Sequence, residues 1–130
     1  TTVIPYLELL DRRYPAAKFV LTVRDEDRWI ESCRRHWAGR KPRSQGWEQN
    51  RRAVYGIASF DEQIFRRVYR AHVARMEAYF RDRPGKLLVL DICGGEGYGR
   101  LCPFLGLPAL GEPFPHANRG RDGHPEHRLR

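Results

Sequence analysis

The feature that most constrains this chain is the stretch KFVLTVRDEDRWIESCRRHW, residues 18–37. Residues 19–23 are all apolar or β-branched, which is typical of a buried strand. Arg24 and Asp25 then turn the chain, and an acidic helix start follows, so we expect a helix over residues 27 to 36 or 37. A strand, a sharp turn and a helix in this order indicate a parallel α/β protein.

The turn after this first strand is a candidate anion site. In parallel α/β proteins, the carboxyl end of a strand and the exposed N–H groups of the next helix face one crevice, where ligands bind. Arg24 lies at that end. Ser32, eight positions later, lies about two turns into the helix, since a helix has ~3.6 residues per turn. A guanidinium and a hydroxyl so placed can bind one oxyanion, and the planar fork of arginine suits phosphate oxygens.

A second apolar run predicts the partner strand. Residues 87–92, LLVLDI, match the first strand, for which we expect residues 18–23. Two strands joined through a crossover form a parallel pair, right-handed by strong default. Because both runs lack polar alternation, we expect both faces to be covered. A sheet needs three or more strands to be stable alone, so we expect further structure to lie beside this pair.

The rest of the chain predicts about four helices in all. Besides residues 27–37, we expect helices over residues 4–13, from the N-cap Asp61 to just before Pro84, and after the glycine-rich turn CGGEGYG. Phe60 should pack on Phe65 as a hydrophobic staple. Residues 38–59 carry Gly, Pro and Ser among many cations, which predicts a loop with at most a turn of helix around residues 47–55.

The charge balance favours an anionic partner. Lys and Arg number 24 against 16 Asp and Glu, a net charge of +8, which suits a nucleotide, a nucleic acid or an acidic surface. No recognised nucleic-acid motif is present, so nucleic acid is the less favoured partner. No apolar run approaches the ~20 residues of a membrane span. Three cysteines without close pairing indicate a reduced, cytoplasmic protein with neither a disulfide framework nor a metal site.

Three blocks together resemble a known family. YPAAKFVLTVRDEDRWIESC, LLVLDICGGEGYGRLCPFLGLP and PFPHANR occur in the order typical of sulfotransferase-like P-loop proteins, which use 3′-phosphoadenosine 5′-phosphosulfate (PAPS) as sulfuryl donor. The resemblance implies a parallel-sheet, P-loop-like α/β fold and transfer of a sulfuryl group to an acceptor hydroxyl or amine, without a metal. It also implies that Arg24 and Ser32 bind the 3′-phosphate of PAPS, and that Arg119 in the closing block reaches a phosphate.

The resemblance also implies an incomplete domain. No GxxxxGK[ST] phosphate loop occurs in the sequence, and no residue matches a catalytic base of the family. We therefore expect residues 1–115 to be the carboxyl-terminal portion of one sulfotransferase-like domain, residues 116–130 to be a flexible basic tail, and the isolated chain to be inactive.

Two other functions fit parts of the sequence. The LDICGGEG segment is close to the first motif of S-adenosylmethionine-dependent methyltransferases, although Cys93 stands where that motif has its first glycine. The net positive charge also fits a non-enzymatic module that binds a nucleotide or a partner protein. We expect residues 38–59 to form a mobile cover over an anionic cofactor or acceptor, a solvated basic loop whose Trp residues pack on the core, or a groove for single-stranded nucleic acid.

Overall fold

The computed structural model describes residues 6–37 and 44–115. Within these ranges the chain forms a mixed α/β fold with one two-stranded sheet and five helices. The elements follow in the order α1 (Leu7–Arg13), β1 (Phe19–Thr22), α2 (Glu26–Trp37), α3 (Gln45–Tyr55), α4 (Glu62–Phe80), β2 (Leu87–Leu90) and α5 (Tyr98–Leu105). The sequence predicts about four helices, and α3 is the additional one.

The two predicted strands do pair in parallel. Phe19 lies opposite Leu87 and Thr22 opposite Leu90, in unbroken register. Parallel pairing places both carboxyl ends, and the turns that follow them, at the same edge of the sheet. The candidate anion site and the glycine-rich turn are therefore neighbours at this edge.

Coverage of the two sheet faces is unequal. One face contributes Leu21 to an apolar cluster formed with α1 and the carboxyl-terminal half of α4. On the other face α5 packs against β2, and Leu90 is fully buried. Val20 on that face of β1 remains 40% exposed. The prediction that both faces are covered is thus wrong for β1 within residues 6–37 and 44–115, since α5 packs on the neighbouring strand and leaves Val20 exposed.

Helix α4 joins two apolar clusters. Its carboxyl-terminal residues Met76 and Phe80 pack with Leu7 of α1 and with the sheet. Its first turns contribute Phe65, which is completely buried among residues of α2 and α3. The N-cap prediction is confirmed, since the Asp61 carboxylate accepts a hydrogen bond from the backbone N–H of Ile64 at 2.9 Å. The long helix therefore fixes α2, and the turn before α2, relative to the sheet.

Helix α3 corrects the prediction of a loop over residues 38–59. Ser44 caps its first turn by accepting a hydrogen bond from the Trp47 N–H at 3.3 Å. Gly56 ends it in the left-handed region, at a φ of +74°, which glycine adopts without strain. Between these caps, Arg51 and Tyr55 lie on the buried face. The helix forms because it buries this face against α2 and α4.

Some predictions lie outside the described residues. These are the first residues of the helix expected over 4–13, residues 38–43 of the predicted loop, Arg119 and the tail from residue 116. Of the helices that the structure describes, none combines the length and apolar character needed to cross a bilayer.

Candidate functional site

Arg24 is the first residue after β1 whose backbone is held by a side chain instead of the sheet. The Val23 N–H donates to the Leu90 carbonyl at 3.0 Å, the last bond of the parallel ladder. The Arg24 N–H donates to the Tyr69 hydroxyl oxygen at 3.2 Å, and that hydroxyl donates to the Arg24 carbonyl at 2.8 Å. One phenol of α4 thus satisfies both backbone groups of Arg24.

The Arg24 guanidinium retains an unused donor. Its Nε is buried and has no hydrogen-bond partner among the described residues. Its charge reaches α2, because burial raises the pKa of the Cys33 thiol to about 11 while Arg24 acts in the opposite direction. A buried guanidinium N–H without a partner is costly unless a ligand or water accepts its hydrogen bond. The arrangement therefore suits an anion that binds beside the start of α2.

The three acidic residues that follow Arg24 are occupied elsewhere. The Asp25 carboxylate accepts the Arg28 backbone N–H at 2.9 Å. Glu26 accepts the Arg70 Nε at 2.7 Å and an Arg66 Nη at 2.8 Å, and these bonds lower its pKa to about 2. The Asp27 carboxylate lies 2.7 Å from Arg66.

These ion pairs draw the acidic side chains toward α4. Arginines of α4 balance the carboxylates at the start of α2, so no ion pair within the described residues neutralises Arg24. The Arg24 guanidinium at the end of β1 could therefore pair with the anionic group of a ligand.

Ser32 lies where the spacing predicts, in the second turn of α2 and half-buried. Within residues 6–37 and 44–115, no hydrogen bond joins Ser32 to Arg24 directly. An oxyanion between the two side chains would be needed to connect them, so their joint role stays a prediction. Arg119, the third predicted phosphate ligand, lies outside the described residues.

The glycine-rich turn after β2 is closed by its own acidic residues. The Asp91 carboxylate accepts the Gly94 N–H at 2.7 Å, and Glu96 accepts the Asp91 N–H at 2.6 Å. The Glu96 and Gly95 N–H groups donate to the carbonyls of Asp91 and Ile92 at 3.0 and 3.3 Å. The backbone amides of Asp91, Gly94, Gly95 and Glu96 are therefore occupied by acceptors within the turn.

Close contacts explain two of the glycines in this turn. A Cβ on Gly94 would lie 2.5 Å from an Asp91 carboxylate oxygen. A Cβ on Gly97 would lie 2.8 Å from the side chain of Phe114, whose ring packs on Tyr98 at 4.8 Å. The glycines allow a tight turn, and their geometry gives no support to the methyltransferase alternative.

A cavity of about 400 Å³ opens between α4 and the carboxyl end of the sheet. Its floor is apolar and its polar rim comes from α4; the lining residues are Val23, Tyr69, Arg70, Val73, Ala74, Glu77 and Val89. Tyr69 thus contributes both to this cavity and to the backbone bonds of Arg24. The sequence does not predict the cavity, because its residues come from three elements that are distant along the chain.

The sequence patterns did not predict the burial of one arginine. Arg51 is 2% exposed, and its guanidinium carbon lies 4.0 Å from the Trp37 ring centre and 3.7 Å from that of Trp47. Its Nη1 donates to the Ala58 carbonyl at 2.7 Å. This cation between two indoles holds α3 against the end of α2.

No group of three or more His, Cys, Asp or Glu side chains within residues 6–37 and 44–115 could hold a metal ion.

The sequence of the chain matches a model of a known protein family. It is described as "Sulfotransferase domain" and covers residues 1–122 of the 130. Among curated proteins, none matches the chain significantly.

Proposed function

Because this chain belongs to the sulfotransferase domain family, we propose that it serves sulfuryl transfer from PAPS and that Arg24 and Ser32 bind the 3′-phosphate of that donor. The family match supports the sulfotransferase class, and the geometry at the end of β1 supports the particular residues. A 3′-phosphate distinguishes PAPS from ordinary adenine nucleotides. A site for this group would therefore select the donor.

One observation carries the assignment of Arg24. Its Nε is buried without a partner among the described residues, whereas the acidic side chains that follow it bind arginines of α4 or a backbone amide. Charge-assisted bonds from a guanidinium to phosphate oxygens are shorter and stronger than neutral ones. Ser32 would donate its hydroxyl to the same phosphate, and Arg119 would add a second cation.

The proposed reaction moves a sulfuryl group in line between two oxygens, or from oxygen to nitrogen. The bond between sulfur and the bridging phosphate oxygen of PAPS breaks, and a bond from sulfur to the acceptor hydroxyl or amine forms. The acceptor loses its proton to a base, and adenosine 3′,5′-bisphosphate leaves. Such transfers depend on cations and oriented N–H donors around the moving oxyanion. Arg24 and Ser32 would hold the donor in place for this step.

The sequence contains no GxxxxGK[ST] loop for the 5′-phosphosulfate group. We propose that residues 1–115 are the portion of the domain that binds the 3′-phosphate, and that the isolated chain turns over little or no PAPS. Sulfation assays with the purified 130-residue chain test this part. Robust PAPS-dependent sulfation would contradict it.

Calorimetric titration tests the proposed donor site. The chain is titrated with adenosine 3′,5′-bisphosphate, AMP and S-adenosylhomocysteine at two salt concentrations. We expect preference for the bisphosphate, and a preference that falls with salt because charged contacts are screened. Equal binding of the bisphosphate and AMP would remove the 3′-phosphate site, and preference for S-adenosylhomocysteine would instead support a methyltransferase.

A further inference from the structure

Tyr69 is the one described side chain that bonds to the backbone of Arg24, and it does so twice. We propose that Tyr69 is a positioning residue for the anion site: its hydroxyl holds the Arg24 backbone so that the guanidinium faces the 3′-phosphate. This inference rests on the proposed function and adds a determinant of donor selectivity that lies in another helix, 45 residues further along the chain.

The two bonds constrain Arg24 at the point where the sheet ceases to do so. The ladder between β1 and β2 ends with the Val23 N–H and the Leu90 carbonyl. Beyond it, the Arg24 N–H and carbonyl both bond to the Tyr69 hydroxyl. Without that hydroxyl, both groups would need other partners, and the backbone from which the Arg24 side chain starts could turn.

The aromatic ring of Tyr69 is itself fixed by the helix that carries Ser32. It stacks on Trp29 of α2, with ring centres 4.7 Å apart and planes 30° apart. Tyr69 therefore connects the turn at Arg24 to α2. This contact would keep the guanidinium and the Ser32 hydroxyl in one relative position, which two-point recognition of a phosphate requires.

The acidic side chains near Tyr69 do not bind its hydroxyl, which bonds only to the Arg24 backbone among the described residues. Glu26 binds Arg66 and Arg70, which lie on the same helix as Tyr69. These ion pairs hold the start of α2 against α4 on the side next to the phenol. Three kinds of contact from α4 thus hold the turn between β1 and α2: the Tyr69 hydroxyl, the Tyr69 ring and the ion pairs of Glu26.

Replacement of Tyr69 by phenylalanine tests the role of the hydroxyl, because it keeps the ring on Trp29. The measured quantity is the ratio of affinities for adenosine 3′,5′-bisphosphate and AMP. We expect Tyr69→Phe to lower this ratio about five- to tenfold, the effect of one or two net hydrogen bonds. Tyr79→Phe is the matched control, since that hydroxyl lies on the same helix but bonds to Asp11 at 2.9 Å. It should leave the ratio unchanged.

A double variant separates positioning from general destabilisation. In an Arg24→Ala background, Tyr69→Phe should change the ratio no further, because Tyr69 acts through Arg24. An unchanged ratio in Tyr69→Phe, or an equal further loss in the double variant, would overturn the inference while leaving the proposed function intact. A wild-type chain that shows no preference for the bisphosphate would overturn the proposed function, and the role of Tyr69 would fall with it.

If Tyr69→Phe does not fold, amide hydrogen exchange of the wild-type chain provides the test. Binding and the Tyr69 bond must strengthen each other if they act on the same residue. Exchange of the Arg24 N–H should therefore slow on addition of the bisphosphate and not on addition of AMP. Equal exchange with both nucleotides would overturn the inference.

Discussion

The two strands end side by side, and in each turn an aspartate accepts a backbone amide three residues further on, but the glutamates of the two turns bind different partners. After β1, Glu26 binds arginines of α4, and the Arg24 guanidinium retains a buried donor without a partner among the described residues. After β2, Asp91 and Glu96 bind the backbone amides of their own turn. Arg24 thus has no ion-pair partner among the described residues, whereas the amides of Asp91 and Gly94 are bound by carboxylates of their own turn.

The comparison shows that several amides of a glycine-rich turn at the carboxyl end of a strand can be occupied by acceptors of the same turn. Whether such a turn can bind an anion depends on whether its N–H donors already have acceptors within the protein. Gly94 and Gly95 both donate within the turn. At β1, Glu26 and Asp27 pair with arginines of α4, and this pairing supports the proposal that Arg24 binds a phosphate.

The largest expected effect is that of Arg24→Ala, which would remove the cation of the β1 turn. We expect the affinity for adenosine 3′,5′-bisphosphate to fall by ~1.5–3 kcal/mol, the value of a charge-assisted hydrogen bond. Titration calorimetry measures it, with AMP as the reference nucleotide. Arg100→Ala is the matched control, since Arg100 lies in the first turn of α5 and its guanidinium pairs with Glu96 of the β2 turn. Equal losses in both variants would break the distinction between the two turns.

Gly94→Ala tests the β2 turn by crowding it. The new Cβ would meet the Asp91 carboxylate at 2.5 Å, so we expect the free energy of unfolding to fall by about 1–3 kcal/mol. Affinity for the bisphosphate should not change, since the proposed phosphate site is the β1 turn. Gly99→Ala is the control, because a Cβ there meets nothing within 4 Å. Denaturant unfolding measures the stability, and calorimetry measures the affinity for the bisphosphate. Unchanged stability with weakened binding would indicate that the β2 turn, and not the β1 turn, binds the phosphate.

Ser32→Ala should have a smaller effect on binding than Arg24→Ala. Removal of one hydroxyl donor to a phosphate should cost about 0.5–1.5 kcal/mol of bisphosphate affinity. The variant should leave AMP binding unchanged. Ser59→Ala, at an exposed position between α3 and α4, controls for the loss of any serine hydroxyl. Equal behaviour of the two variants would remove Ser32 from the site.

Glu26→Gln should have the smallest effect, and it should depend on pH. The bonds from Arg70 and Arg66 lower the pKa of Glu26 from 4.5 to about 2. Glu26 therefore stabilises the fold fully above pH 4.5, and this contribution is lost as the pH falls toward 2. The stability difference between wild type and Glu26→Gln should accordingly shrink over that window.

Thermal unfolding at several pH values measures this difference. Glu77→Gln is the control on α4, since no ion pair within the described residues involves Glu77. A difference between wild type and Glu26→Gln that stays constant from pH 6 to pH 3 would contradict the ionic role of Glu26 at the β1 turn.

Apolar periodicity was sufficient to predict most of the secondary structure. Both strands are uninterrupted apolar runs, and α4 repeats Phe65, Met76 and Phe80 at helical spacing from a clear N-cap. Helix α3 was not predicted because its buried face carries Arg51. In a sequence pattern, an arginine indicates a solvent-exposed position. The rings of Trp37 and Trp47 on either side, together with the hydrogen bond to the Ala58 carbonyl, offset the cost of burying it. Ser44 and Gly56 were the caps that could have indicated this helix.

The candidate site was predictable only in part, for a similar reason. The strand end and helical spacing pointed to Arg24 and Ser32. Tyr69 belongs to the apolar stripe of α4, and nothing local distinguishes its hydroxyl from that of Tyr79. Which phenol meets the turn depends on how α4 crosses the sheet, and that is decided by packing between distant segments.

A crystal structure of the chain with adenosine 3′,5′-bisphosphate would test the central distinction most directly. The account predicts the 3′-phosphate at the β1 turn, with an oxygen within about 3.2 Å of the Arg24 Nε and with the Ser32 hydroxyl as a second donor. The Asp91 and Glu96 bonds of the β2 turn should remain as they are. A phosphate bound by the amides of Gly94 and Gly95, with Arg24 uninvolved, would contradict it.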